Sequence, residues 1–156
     1  VAKLSSIKVR REAVKVDETQ SFDVRGISTN DVMALVAEHG AQLTLMFAKL
    51  TSGRDAGSLN PDDVRDIILQ LAKEFPDIAA AVIALAAEEY NEDGMALARD
   101  LPVLAQMEAI ETIFHLTFYS ESQVKKLLGS LTKMIGEVSG ALKTNVVPGL
   151  QTGTGA

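Results

Sequence analysis

A chain of 156 residues has the length of one domain and can bury a core without covalent staples. It contains no cysteine, which excludes disulfides, thiol nucleophiles, iron–sulfur clusters and cysteine-ligated zinc. A net charge of −6 argues against general affinity for nucleic acid or anionic membranes, and 47 % apolar residues with 4 % aromatics favour helices packed on small side chains.

No apolar run reaches the roughly 18 residues of a membrane span, and the opening VAKLSSIKVRR lacks a signal peptide's apolar core. A soluble, intracellular protein is expected. Charge is uneven along it. Residues 1–28 hold six Lys/Arg against four Asp/Glu, residues 29–101 five against thirteen, and residues 102–156 four of each. The acidic excess in the middle third reads as a solvated helical face.

In chain order, Ala13–Val16 and Ser21–Arg25 alternate apolar and polar residues with period two, the pattern of half-exposed strands. Asp17–Gln20 is polar enough for a turn, so a β-hairpin or an extended arm is expected, and it needs something to lie on. From Ser28 the period changes. Ser28-Thr29-Asn30-Asp31 is rich in N-cap residues, and Val32, Leu35, Val36, Leu43, Met46, Phe47 and Leu50 form a helical stripe that includes His39. Residues 29–50 are the first expected helix, with Gly40 permitting a kink or close crossing.

Residues 51–60 read as a loop, and Asn60-Pro61-Asp62-Asp63 as a helix start followed by Val64, Ile67, Ile68, Leu71 and Phe75. Pro76 pushes Phe75 out of helical geometry and opens the segment Asp77–Glu89, apolar on nearly every side and therefore central. Tyr90–Gly94 reads as a loop, Met95–Arg99 as a short helix, and Pro102 as the start of a helix presenting Val103, Met107, Ile110, Phe114 and Phe118. Ser120–Gln123 has capping-box form before a last helix carrying Val124, Leu127, Leu128, Leu131, Ile135, Val138 and Leu142. The Gly/Thr/Pro-rich remainder reads as a flexible tail.

Chemistry-bearing patterns are scarce. His39 and His115 are isolated apart from Glu111, one helical turn before His115, and a partly buried, satisfied histidine is the expected role over a metal site. Nucleophile elbows and phosphate-binding glycine loops are absent from the sequence. The acid pairs Asp62-Asp63, Glu88-Glu89 and Glu92-Asp93 read as helix-end or surface decoration. The basic cluster Lys3, Lys8, Arg10, Arg11 and Lys15 suits phosphate or an acidic protein surface. The C-terminal stripe either closes the bundle or receives a partner helix, and Val124, Leu128, Leu131 and Ile135 are the candidate partner-binding residues.

The run Ser21-Phe22-Asp23-Val24-Arg25-Gly26-Ile27-Ser28-Thr29-Asn30-Asp31 resembles the opening of tail assembly chaperones of long-tailed bacteriophages, the pre-tape-measure proteins. There a short strand ending in Arg-Gly-apolar leads into the first helix. Phe75–Ala86, Leu101–Ile110 and Leu116-Thr117-Phe118 are similar to the same family, so the resemblance covers residues 20–140. It implies a non-enzymatic protein, without cofactor or metal, that binds the tape-measure protein and helps recruit tail-tube subunits in the host bacterial cytoplasm. It also implies that a frameshifted longer product accompanies the chain in many such phages.

The expected fold is mainly α: a single-domain bundle of about five helices with a short N-terminal β-hairpin or extended arm. Residues 1–27 form the arm, 28–143 the helical domain and 144–156 the flexible tail. A homo-oligomer is expected, with no nucleic acid or membrane partner. Two other functions fit the residues: a structural or adaptor protein retained in the virion, and a helical nucleic-acid-binding regulator using the basic arm.

Overall fold

The computed structural model describes residues 1–51 and 61–118, together with Ser122, Gln123, Lys126, Gly129, Ser130 and Lys133. Those last six are helical and exposed. The rest of the expected final helix, the 144–156 tail and the 52–60 loop lie outside the described residues. A short 3₁₀ turn, Leu4–Ser6, precedes β1 (Arg11–Lys15) and β2 (Ser21–Arg25). Among the described residues five helices have defined bounds: α1 (Thr29–Thr51), α2 (Pro61–Glu74), α3 (Pro76–Ala86), α4 (Glu92–Asp100) and α5 (Val103–Thr117). The fold is mainly α with an antiparallel hairpin.

Asp17 makes the hairpin turn. Its Oδ1 accepts the N–H groups of Thr19 and Gln20, both at 2.7 Å, and the Thr19 hydroxyl at 2.9 Å. Val16 is already part of this turn, its N–H donating to Gln20 O, so β1 ends at Lys15 instead of Val16. The register sets Val14 opposite Phe22 and Glu12 opposite Val24. Val14 and Val24 are completely buried, because the hairpin lies on α5 and α3.

Helix α3 is the centre of the molecule. Its neighbours are α1, α2, α4, α5 and β2, and its side chains from Ile78 to Ala81 and Ile83 to Ala86 are buried. Five of those eight are alanine, which lets the surrounding elements approach closely. Phe75, at φ −130°, stands outside the helix that Pro76 opens, as the proline requires.

Two helix boundaries depart from the sequence reading, and one helix bends. α3 stops at Ala86, three residues before Glu89, because Glu88 turns left-handed. α4 begins at Glu92, within the stretch read as a loop, because the Asn91 side chain accepts the Gly94 N–H at 2.8 Å. α1 is kinked at His39 (φ −124°, ψ 21°), and already before the kink only part of its expected stripe is covered: Leu35 is buried while Val36 is 45 % exposed. On α5, Val103 is likewise exposed, in the first turn, where Met107, Ile110 and Phe114 have turned inward.

Candidate functional site

The densest polar arrangement begins with a conflict. The hairpin register places Arg11 directly opposite Arg25, two like charges on one face. Glu88 resolves it, with Oε2 at 2.7 Å from Arg11 and Oε1 at 3.2 Å from Arg25. Glu88 reaches both because it occupies the left-handed position after α3, at φ 60°. There its N–H donates to Leu85 O and that of Glu89 to Ala84 O, a Schellman ending in which glycine is the usual residue. The hydrogen bonds from Arg11 and then Arg25 hold the Glu88 carboxyl below its ordinary value.

Arg25 continues into α1. Its guanidinium donates to both Asp31 oxygens, at 2.6 and 3.2 Å, and to Gly26 O at 2.9 Å. Asp31 is 6 % exposed and forms a reciprocal box with Ser28. The Ser28 N–H donates to Asp31 Oδ2 at 2.7 Å, and the Asp31 N–H to Ser28 Oγ at 3.2 Å. Burial pushes the Asp31 carboxyl up, but the bonds from Arg25 and Ser28 together outweigh it and leave the group below its ordinary value.

The next link is steric. A Cβ on Gly26 would lie 2.8 Å from Leu116 O and 3.2 Å from Thr117 Cα, so a side chain has no room there. Ile27 N–H donates to Thr117 Oγ1 at 2.9 Å, and that hydroxyl donates to Ile113 O at 2.7 Å. The run Ser21–Asp31 is thus a clasp joining the hairpin to α1, α3 and α5. It is architectural, and the sequence reading missed the parts played by Glu88, Gly26 and the Ser28–Asp31 box. The S-x-x-D spacing was the available signal for the last.

Other candidate residues stay apart. His115 is exposed, contrary to the partly buried role expected, with Nε2 3.9 Å from Glu111. His39 is half-buried, but its Nε2 has no hydrogen-bond partner among the described residues. Among the described residues no three His, Asp or Glu side chains gather as a metal site. Tyr90 donates to the Glu38 carboxylate, and burial followed by that contact pushes its hydroxyl pKa up to about 12. In the basic cluster, Arg11 is held by Glu88 and Arg10 pairs with Glu12 at 2.7 Å.

Two features suit contact with another protein. A groove of about 520 Å³ runs between the hairpin turn, the end of α3 and α4, lined by Phe22, Ile83, Ala84, Leu97, Ala98 and Leu101 among others. Apolar side chains also face solvent on α1 (Met33, Val36, Leu45) and at the α4–α5 corner (Leu97, Val103, Leu104). Leu101 follows Leu97 and Ala98 by four and three residues, about one helical turn, a spacing legible in sequence once α4 is known. Val124, Leu128, Leu131 and Ile135 lie outside the described residues.

Fold and contacts together define a small, mainly helical protein whose polar network serves architecture and whose apolar residues are partly turned outward. The chain belongs to the pre-tape-measure protein family, whose model matches residues 2–146. Family membership gives it a role in bacteriophage tail assembly. Neither a curated protein nor a solved structure matches the chain. No helix among the described residues is long and apolar enough to cross a membrane.

Proposed function

We propose that the chain is a tail assembly chaperone that binds the tape-measure protein, keeps its apolar helices in solution and helps recruit tail-tube subunits. It acts without catalysis, in the host bacterial cytoplasm, and as a homo-oligomer. The family match over residues 2–146 carries this reading. The structure adds compatible surfaces: an apolar groove and outward-facing Met33, Val36, Leu45 and Leu104 on an acidic body. An aggregation-prone helix can lay its stripe on such patches while the net negative charge keeps the complex dispersed. Weak contacts repeated along one long client add through effective concentration, so none has to be tight.

Co-expression with the tape-measure protein tests the reading. Soluble tape-measure protein is expected to rise severalfold, the two are expected to co-purify, and the chain is expected to be absent from finished virions. No rise in soluble client would sink the chaperone role. Detection in virions at a fixed copy number would make the chain a structural or adaptor component.

A further inference from the structure

The groove between the hairpin turn and α4 combines an apolar floor with a helical wall. Its floor is Phe22, Ile83, Ala84 and Ala98, and Leu97 on the wall keeps 65 % of its surface in solvent. The lining runs along α4 from Gly94 to Leu101, about 10 Å or two helical turns. Ala84, Ala87 and Ala98 keep this surface low. A helix laid on it can bring its backbone close while its larger side chains fill the space of about 520 Å³.

The surroundings of the groove are acidic. Glu89 lines it, Asp17 and Glu18 occupy the turn between the lining residues Val16 and Thr19, and Glu92 and Asp93 immediately precede the lining residue Gly94. Among the described residues none of these five acids makes an ion pair, and no Lys or Arg lines the groove. Acids elsewhere are held: Glu12 by Arg10, Glu74 by Lys49, Asp77 by Arg99, and Glu88 by Arg11 and Arg25. Of the cations next to lining residues, Lys15 and Arg99, the second is therefore already engaged. Like charges gathered beside an apolar surface are relieved by a partner that brings cations with its apolar side chains.

We infer that this groove takes a two-turn helical segment with apolar residues three or four positions apart on one side and Lys or Arg along its flanks. The inference rests on the client reading and sharpens it: among the tape-measure protein's apolar helices, the groove selects those bordered by cations. Apolar contact supplies the affinity and charge the selection. The chain's own Leu4–Arg10 arm has a matching composition, but it is exposed in the structure and Ile7 is extended (φ −77°, ψ 125°).

Two labelled peptides of about 18 residues test the inference, alike in leucines three and four apart and differing in carrying lysine or glutamate between them. By fluorescence anisotropy at low salt, the lysine peptide is expected to bind the full chain roughly tenfold tighter, and the difference to shrink in high salt. Leu97→Gln is expected to weaken that binding severalfold, and Glu18→Gln/Glu89→Gln to remove most of the preference for lysine. Glu108→Gln/Glu111→Gln makes the same charge change on α5, which contributes nothing to the lining, and is expected to keep the preference. All of these side chains are exposed, so unchanged circular dichroism is expected. Equal affinity for the two peptides overturns the inference. So does binding that Leu97→Gln leaves unchanged, or a preference that the α5 pair removes as fully as the groove pair. Binding seen only after Ile7→Glu/Val9→Glu gives the groove to the chain's own arm, and binding lost as chain concentration rises gives it to a second copy; either overturns the inference too. Tape-measure protein left insoluble on co-expression, with the peptide pattern intact, counts against the client reading alone. Tape-measure protein solubilised equally by the wild type and by Leu97→Gln combined with Glu18→Gln/Glu89→Gln counts against the groove alone.

Discussion

The two halves of α1 are built on opposite principles. At its start, Asp31 is buried, boxed with Ser28 and held by Arg25, and Leu35 packs against Ala81 and Leu85. From the kink onward, among the described residues, His39 Nε2 has no hydrogen-bond partner, a Cβ on Gly40 would meet nothing within 4 Å, and Leu45 is 62 % exposed. There Thr44 Oγ1 donates to Gly40 O at 2.8 Å, a contact that competes with the helical ladder and favours bending. Lys49 ties this half to the body through Glu74 at 2.9 Å and lies 5.9 Å from the Phe75 ring centre. Among the described residues, the first half is fixed by a buried ion pair, a capping box and core packing, and the second by Leu43 and by contacts of exposed side chains. Segments that open locally, and that adapt to partners, come from the second kind.

Substitutions can break this contrast. Arg25→Ala leaves Asp31 buried without its cation and is expected to cost about 3 kcal/mol, measured by urea unfolding. Gly26→Ala drives a methyl into the Leu116 backbone and is expected to cost about 2 kcal/mol. The same change at Gly40 has the opposite expected sign, a gain of about 1 kcal/mol, because among the described residues a Cβ there meets nothing within 4 Å. A loss at Gly40 would mean that the kink depends on glycine, and the contrast would fail. Thr117→Val deprives the Ile27 N–H of its acceptor and should cost about 1 kcal/mol or less.

Acid adds a subtler test of the clasp. The folded pKa of Asp31 lies below its ordinary value of 3.8, and that of Glu88 below 4.5. A depressed carboxyl pKa contributes stability that is fully present above the ordinary value and lost as pH falls through the folded one. Stability is therefore expected to be level from pH 7 to about 5 and to decline below about pH 4. The Arg25→Ala variant should show a shallower decline, read from thermal midpoints across that range.

Much of the architecture was legible because local rules and the tertiary fold agree. The alternation in Ser21–Arg25, the proline before Asp77 and the all-apolar α3 each pointed to the element that forms. What escaped the sequence is what depends on distant neighbours. Nothing local says that Glu88 adopts a left-handed conformation, and its value lies in two arginines more than 60 residues away. The loop reading of Tyr90–Gly94 failed differently, since Asn91 caps as well as it turns. The connection from α3 passes so close to the first turn of α4 that a Gly94 Cβ would sit 1.8 Å from Glu89 O, so a glycine serves there inside a helix. The resemblance run Ser21–Asp31 pointed to the right family, yet its residues proved to hold the fold together. The residues named for partner binding lie outside the described part of the chain.

The clasp also has a timetable. Ile27 and its partner Thr117 are 90 residues apart, and the core that covers Val14 and Val24 comes from α3 and α5. A ribosome adding about 5–20 residues per second takes roughly 5–20 s to make that stretch. For that interval the hairpin has been synthesised while its own helices have not, and an isolated hairpin is marginal in water. The core face of the hairpin, Val14 and Val24, is therefore covered only once α5 has been made.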